Sequence, residues 1–238
     1  MSIVTDPEAA DSSVQVLRKR AKDSELQVGD YRRNLIQRMV EHMINDRFGE
    51  LARKPEATFL SAGASDGAIS QTVSAFSLGA GVPDGKLGEG VALIAAEAKR
   101  VRDFGFSASE VDRAKRWLAA FYDRAFNERD KTDSGSFAQE YLGYFLEGEP
   151  TPGIAYEHAL VRQLLPGVTA VEASALARRL LADEGRVLLG VSPQKPGIQI
   201  PSESALQAQL ADAEQAPIAA WDDTTTGQEL MATKPRPG

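Results

Sequence analysis

The residues able to do chemistry are few, and their spacing limits what they can do. Gly63-Ala64-Ser65-Asp66-Gly67 spells G-x-S-x-G, the pattern that lifts a nucleophilic serine on a sharp strand-to-helix turn. Here Ala68 to Phe76 alternate like a strand, where a helix is required. The base would have to be His158, which stands next to Glu157 inside a helical stretch. A serine hydrolase acting through Ser65 is thus the weaker alternative, and Ser65-Asp66-Gly67 reads as a hairpin turn. Gly85-Lys86 sits between a strand and a helix, as in a phosphate-binding loop. That motif needs a glycine five residues earlier and Ser or Thr after the lysine; the chain has Ala80 and Leu87 there. Metal ligands are scarce: the two histidines, His42 and His158, lie far apart, there is no cysteine, and His42 with Asp46 lacks a third strong ligand.

Composition narrows the classes further. The chain has 238 residues, 42% of them hydrophobic and 26% charged, a globular balance. A net charge of −7 argues against a nucleic-acid partner, which calls for a basic field. No apolar run is long enough to span a membrane, and MSIVTDPEAADSS lacks the basic and apolar regions of a signal peptide. A strand-like run so close to the start reads as a piece of something longer. With no cysteine, disulfides and thiolate chemistry are excluded, and the redox compartment is left open.

The elements that must position any site follow from periodicity and caps. Residues 13–20 alternate as a strand. Asp30 caps a long helix whose buried face is Leu35, Met39, Met43, Phe48 and Leu51. Strands near 57–62 and 68–78 flank the Ser65-Asp66-Gly67 turn. A glycine-rich loop leads to a helix ended by Gly105. Ser107 and Glu110 then form a capping box, opening a helix with Val111, Ala114, Leu118, Phe121 and Ala125 on one face, widened by Trp117, Tyr122 and Phe126. Helices follow near 134–147, carrying Phe137, Tyr141, Leu142 and Phe145, and near 153–165. Thr169 and Glu172 repeat the capping box before a helix and the strand RVLLGVSP. Past Pro193 the spacing predicts one short helix near 203–213 and an extended, proline-containing tail, so residues 1–195 read as one domain and 196–238 as an appendage.

The order of these elements resembles the second, non-catalytic domain of the pitrilysin/insulinase family of zinc metallopeptidases. The residues that carry the resemblance are Tyr31-Arg32, Asn45 to Leu51, Gly105 to Lys115, Pro150 and the Gly167–Glu172 turn, within a match over about residues 3–195. It implies an α/β domain of the α+β kind: a mostly antiparallel sheet with helices on one face. In that family one domain carries H-x-x-E-H and the zinc, and domains of the same fold without the motif help enclose a peptide chamber. This chain has no H-x-x-E-H. The resemblance therefore implies no catalytic residue, metal or cofactor in this chain, zinc in a partner H-x-x-E-H domain or subunit, a peptide substrate, and a bacterial, periplasmic setting. An independent binding or assembly module is the alternative. Family members can hold an extended peptide on a sheet edge, and the corresponding stretch here is Gly67, Ala68, Ile69, Ser70, Gln71, Thr72 and Val73. Its polar residues suit an edge left open to solvent.

Overall fold

The computed structural model describes residues 1–223. Five strands, β1 (Ser2–Asp6), β2 (Ser12–Ala21), β3 (Ser61–Ser70), β4 (Val73–Val82) and β5 (Arg186–Pro193), make one sheet in the order β1-β5-β2-β4-β3. Only the β1–β5 pair is parallel. Seven α-helices, with short 3-10 turns at Arg129–Lys131 and Leu165–Gly167, complete the described residues: α1 (Val28–Ala52), α2 (Leu87–Phe104), α3 (Ala108–Asn127), α4 (Ser134–Glu147), α5 (Ile154–Leu164), α6 (Ala170–Leu180) and α7 (Glu203–Gln215).

The central strand β2 shows why the helices lie on one face. Its period of two buries Ser12, Val14, Val16 and Arg18, while Ser13, Gln15 and Leu17 stay partly exposed on the other side. Val14 and Val16 line up with Ala80 and Leu78 of β4 and with Gly190 and Leu188 of β5. That apolar band is covered by α1 and α2. Gly90 lets α2 come close, since a β-carbon there would stand 2.7 Å from Val14 Cγ2. α1 buries two adjacent columns at a spacing of four: Leu35, Met39, Met43 and Arg47, and Ile36, Val40, Ile44 and Phe48. Arg47 is the charged member of this core stripe. α3 and α6 pack on α1, and α7 packs on α2 through the buried Leu206 and Leu210. Beyond α7 the chain returns to the body: Trp221 lies over the guanidiniums of Arg47 and Arg100, and Asp223 accepts from Ser109 at 2.6 Å and Arg113 at 3.0 Å. The rest of the predicted tail, 224–238, lies outside the described residues.

Several expectations need correction. The hairpin turn is at Gln71-Thr72, and Ser65-Asp66-Gly67 lies inside β3, paired with Ser77, Phe76 and Ala75. An Asp-Gly pair marks a turn only where no long-range partner holds it extended; here Arg20 grips Asp66 in mid-strand. Residues 57–60 precede β3, so the strand predicted at 57–62 begins later. Asp30 is not the cap of α1: Gln27 is, and Asp30 completes the box from the third helical position by accepting from the Gln27 amide at 3.2 Å. On α3, Phe121 is 43% exposed, and its neighbour Tyr122 takes the buried place. The periodic count leaves the two equivalent at the edge of the stripe, and packing on α1 and α5 chooses Tyr122, whose hydroxyl meets Tyr31 and Arg38. β1 adds a strand that the pattern had not defined.

Candidate functional site

The stretch Gly67 to Val73 does not form one edge strand. Gly67 to Ser70 end β3, which is a sheet edge; Gln71 and Thr72 form the turn; Val73 opens β4, an inner strand. The exposed edge is therefore β3 itself, and α1 runs beside it.

A polar stripe on α1, Gln37, Glu41 and Asn45, faces that edge. The Asn45 carboxamide donates to the Ala64 carbonyl at 3.1 Å and accepts from the Ala64 amide at 2.7 Å. One side chain thus stands in for a neighbouring strand. Antiparallel pairing alternates inward and outward backbone groups, so Ala62, Asp66 and Ala68 also point theirs away from β4. The Asp66 amide reaches the Glu41 carboxyl. The Asp66 side chain is held by Arg20 at 2.5 and 2.9 Å and by Gln37 at 2.7 Å. Between α1 and the lower half of β3 lies a polar cavity of about 290 Å³, bordered by Arg20, Gln37, Arg38, Glu41, Asp66 and Ala68. Burial, with the charge of Asp66 added, pushes the Glu41 carboxyl up to about 7, and no cation pairs with it by a salt bridge among the described residues.

The other predicted chemistry does not assemble. Ser65 is an exposed mid-strand residue, and no strand-to-helix elbow forms around it. His158 is committed elsewhere: it lies 2.6 Å from Asp123 and stacks on Phe126. Gly85-Lys86 does join β4 to α2, but Lys86 pairs with Glu89. His42 stacks on Trp117 with ring centres 4.0 Å apart and stands 3.4 Å from Asp46; burial lowers its pKa. Among the described residues no three His, Cys, Asp or Glu side chains group to hold a metal ion. His42, Asn45 and Asp46 stand at the offsets of H-x-x-E-H, yet Asn45 is neither acid nor base, and its amide is used on Ala64. Sequence reasoning missed Glu41 and Asn45. The available signal was their i, i+4 spacing on the polar flank of an otherwise apolar helix.

Comparison with known proteins places this geometry. No family model matches the chain. Over 237 residues it is 28% identical to an Arabidopsis thaliana protein named zinc protease PQQL-like, taking in 100% of this chain but only 22% of that relative's length. Its fold is similar to the first half of the periplasmic protease PqqL from Escherichia coli, with a TM-score of 0.83, 15% identity, and coverage of 92% of this chain and 47% of that one. It is also similar to a peptidase M16 inactive domain from Pseudomonas fluorescens, with a TM-score of 0.58, 15% identity, and coverage of 84% and 44%. At such identities the structures establish the fold, and the plant relative adds kinship in sequence. The chain is thus similar in sequence to a protein named as a zinc protease and in fold to peptidase M16 domains, in line with the pitrilysin/insulinase resemblance, and it carries no H-x-x-E-H motif.

Proposed function

We propose that this chain is a non-catalytic domain of a pitrilysin/insulinase-type zinc protease, packing on an H-x-x-E-H domain and walling its peptide chamber. The observation that carries the reading is the similarity over the whole chain to a named zinc protease that is several times longer, in a sequence with no zinc motif of its own. Zinc binding and water activation then belong to the partner domain. The surface we assign to domain packing is α4. It buries no residue, and it presents Phe137, Tyr141, Tyr144 and Phe145 to solvent at i, i+4, i+7 and i+8, with Phe145 82% exposed. Aromatic residues at this density are typical of interface cores. The β3 edge from Gly67 to Ser70 is the place we assign to an extended peptide. The periplasm is the compartment we propose, after the Escherichia coli protein of similar fold; no described helix is long and apolar enough to cross a membrane.

Two measurements test the reading. Metal analysis of the purified chain should find no stoichiometric zinc, and unstructured peptides should survive incubation with it. One tightly held zinc, with cleavage stopped by chelators, would sink the proposal. Mixed with the H-x-x-E-H part of its parent protease, the chain should form a stable complex that the double change Tyr141→Glu, Phe145→Glu disrupts while the chain remains folded. A complex indifferent to those changes would remove α4 from the interface.

A further inference from the structure

We propose that the cavity between α1 and the Asp66–Ala68 part of β3 accepts a lysine or arginine side chain of an extended peptide lying along that edge. The inference rests on the reading that the β3 edge receives peptide, and it narrows that reading to one place and one chemistry.

The place follows from what α1 already covers. Asn45 saturates both backbone groups of Ala64, so a new strand finds no free pair there. The Asp66 amide is turned to Glu41. Ala68 is the next residue with outward groups, and β3 bulges between Ala68 and Ser70 before the turn. A peptide pairing at Ala68 runs beside the cavity mouth, since Gly67 and Ala68 border it. The side chain of its neighbouring residue on the helix side then enters between α1 and β3.

The chemistry follows from which charges there lack a counterion. Arg20 is engaged by Asp66 and lies 3.6 Å from Asp23. Lys22 pairs with Glu147 and Glu149. Arg38 donates to the neutral Tyr122 hydroxyl, makes no salt bridge among the described residues, and through its charge favours the ionised form of Glu41. Asp66 is satisfied by Arg20 and Gln37. Glu25 accepts from Asn34. Glu25 and Glu41 make no salt bridge among the described residues, and Glu41 is the one set against β3: a half-covered carboxyl with one backbone donor and the more distant charges of Arg38 and Arg20. Its reluctance to ionise is relieved by an entering ammonium or guanidinium, so cation binding and Glu41 deprotonation are linked. Three cations, Arg20, Lys22 and Arg38, border the cavity against five carboxyls, Asp23, Glu25, Glu41, Asp66 and Glu149, so its charge favours an entering cation over an anion.

The test uses the full 238-residue chain and three fluorescent probes: an extended peptide with one central lysine, the same peptide with norleucine, and the lysine peptide with alternate backbone nitrogens methylated. Anisotropy titrations should show the lysine peptide binding about tenfold more tightly than the norleucine one, the worth of one charge-assisted hydrogen bond. The methylated peptide should not bind. The lysine preference should grow from pH 6 to pH 8 as Glu41 ionises, and Glu41→Gln should erase both the preference and its pH dependence. The isosteric change removes a charge that the fold disfavours, so this variant should fold, as a thermal melt verifies. Equal binding of lysine and norleucine peptides, with methylation still abolishing binding, overturns the cavity and leaves the edge reading standing. Binding of all three alike, or of none, overturns both.

Discussion

Two capping boxes in this molecule have the same chemistry and different surroundings. Ser107 and Glu110 open α3; Thr169 and Glu172 open α6. In each, the glutamate accepts from its cap amide, at 2.8 and 3.0 Å, and also grips an arginine of α1. Arg47 meets Glu110 at 2.7 and 3.0 Å, and Arg32 meets Glu172 at 2.7 and 3.1 Å. Residues of α1 thus fix where two other helices begin. The difference is dielectric. Arg47 and Glu110 are 2% and 4% exposed, whereas Arg32 and Glu172 are 28% and 40% exposed. Arg47 is further held by Glu97 at 2.9 Å and the Gly105 carbonyl at 2.9 Å, and Phe106 and Trp221 cover it. Burial works against its charge, and the hydrogen bond and field of Glu110, with the charge of Glu97, more than offset this, holding the guanidinium above its ordinary value. Water can replace either member of the exposed pair; nothing replaces a member of the buried one.

Breaking the comparison at its strong end should give the largest effect. Arg47→Ala leaves Glu97 and Glu110 buried without their shared partner and should cost about 3–5 kcal/mol, little changed by salt, in denaturant melts. A loss under about 1 kcal/mol would mean that water reaches the site and that the two boxes are equivalent. Leu118→Ala, on the face of α3 that meets α1, should cost about 2–5 kcal/mol, while Phe121→Ala, three residues on and half exposed, should cost less than about 1 kcal/mol. Ser107→Ala removes one cap acceptor and should cost about 1 kcal/mol, leaving the Arg47 pair in place. Arg32→Ala should cost only about 0.2–1 kcal/mol, and high salt should erase most of it.

Acid sharpens the same contrast. The Arg32 hydrogen bond holds the Glu172 carboxyl below its ordinary value of 4.5. A lowered carboxylate contributes above the unfolded pKa and loses that contribution as pH falls through the folded one. The Arg32→Ala loss should therefore be present at pH 7 and vanish well below pH 4. A loss constant over that range would mean that Arg32 acts through its stem rather than its charge.

Much of the fold was legible locally. Caps at Ser107 and Thr169, apolar spacing on α1 and α3, and alternation in β2 depend on neighbours within a few residues, so the string displays them. The kinship was legible in the same way, from element order and the runs Asn45 to Leu51 and Gly105 to Lys115. The candidate site was less so. The stretch Gly67 to Val73 takes in the end of the edge strand β3, but its register was misplaced, because a turn signal at Asp66-Gly67 is overridden by Arg20, 46 residues away. Glu41 and Asn45 read as ordinary polar residues of a helix flank until β3 is set beside them.

Residue type and short spacing alone were enough for the helices, the caps at Ser107 and Thr169, the apolar face of β2 and the lack of a zinc motif. Which strand forms the edge, which backbone groups along it α1 has already taken, and which of the Ser107 and Thr169 caps is buried became visible only in the folded chain. Those depend on what lies opposite each residue in space, and desolvation by such distant neighbours sets the strength of a charge or a hydrogen bond.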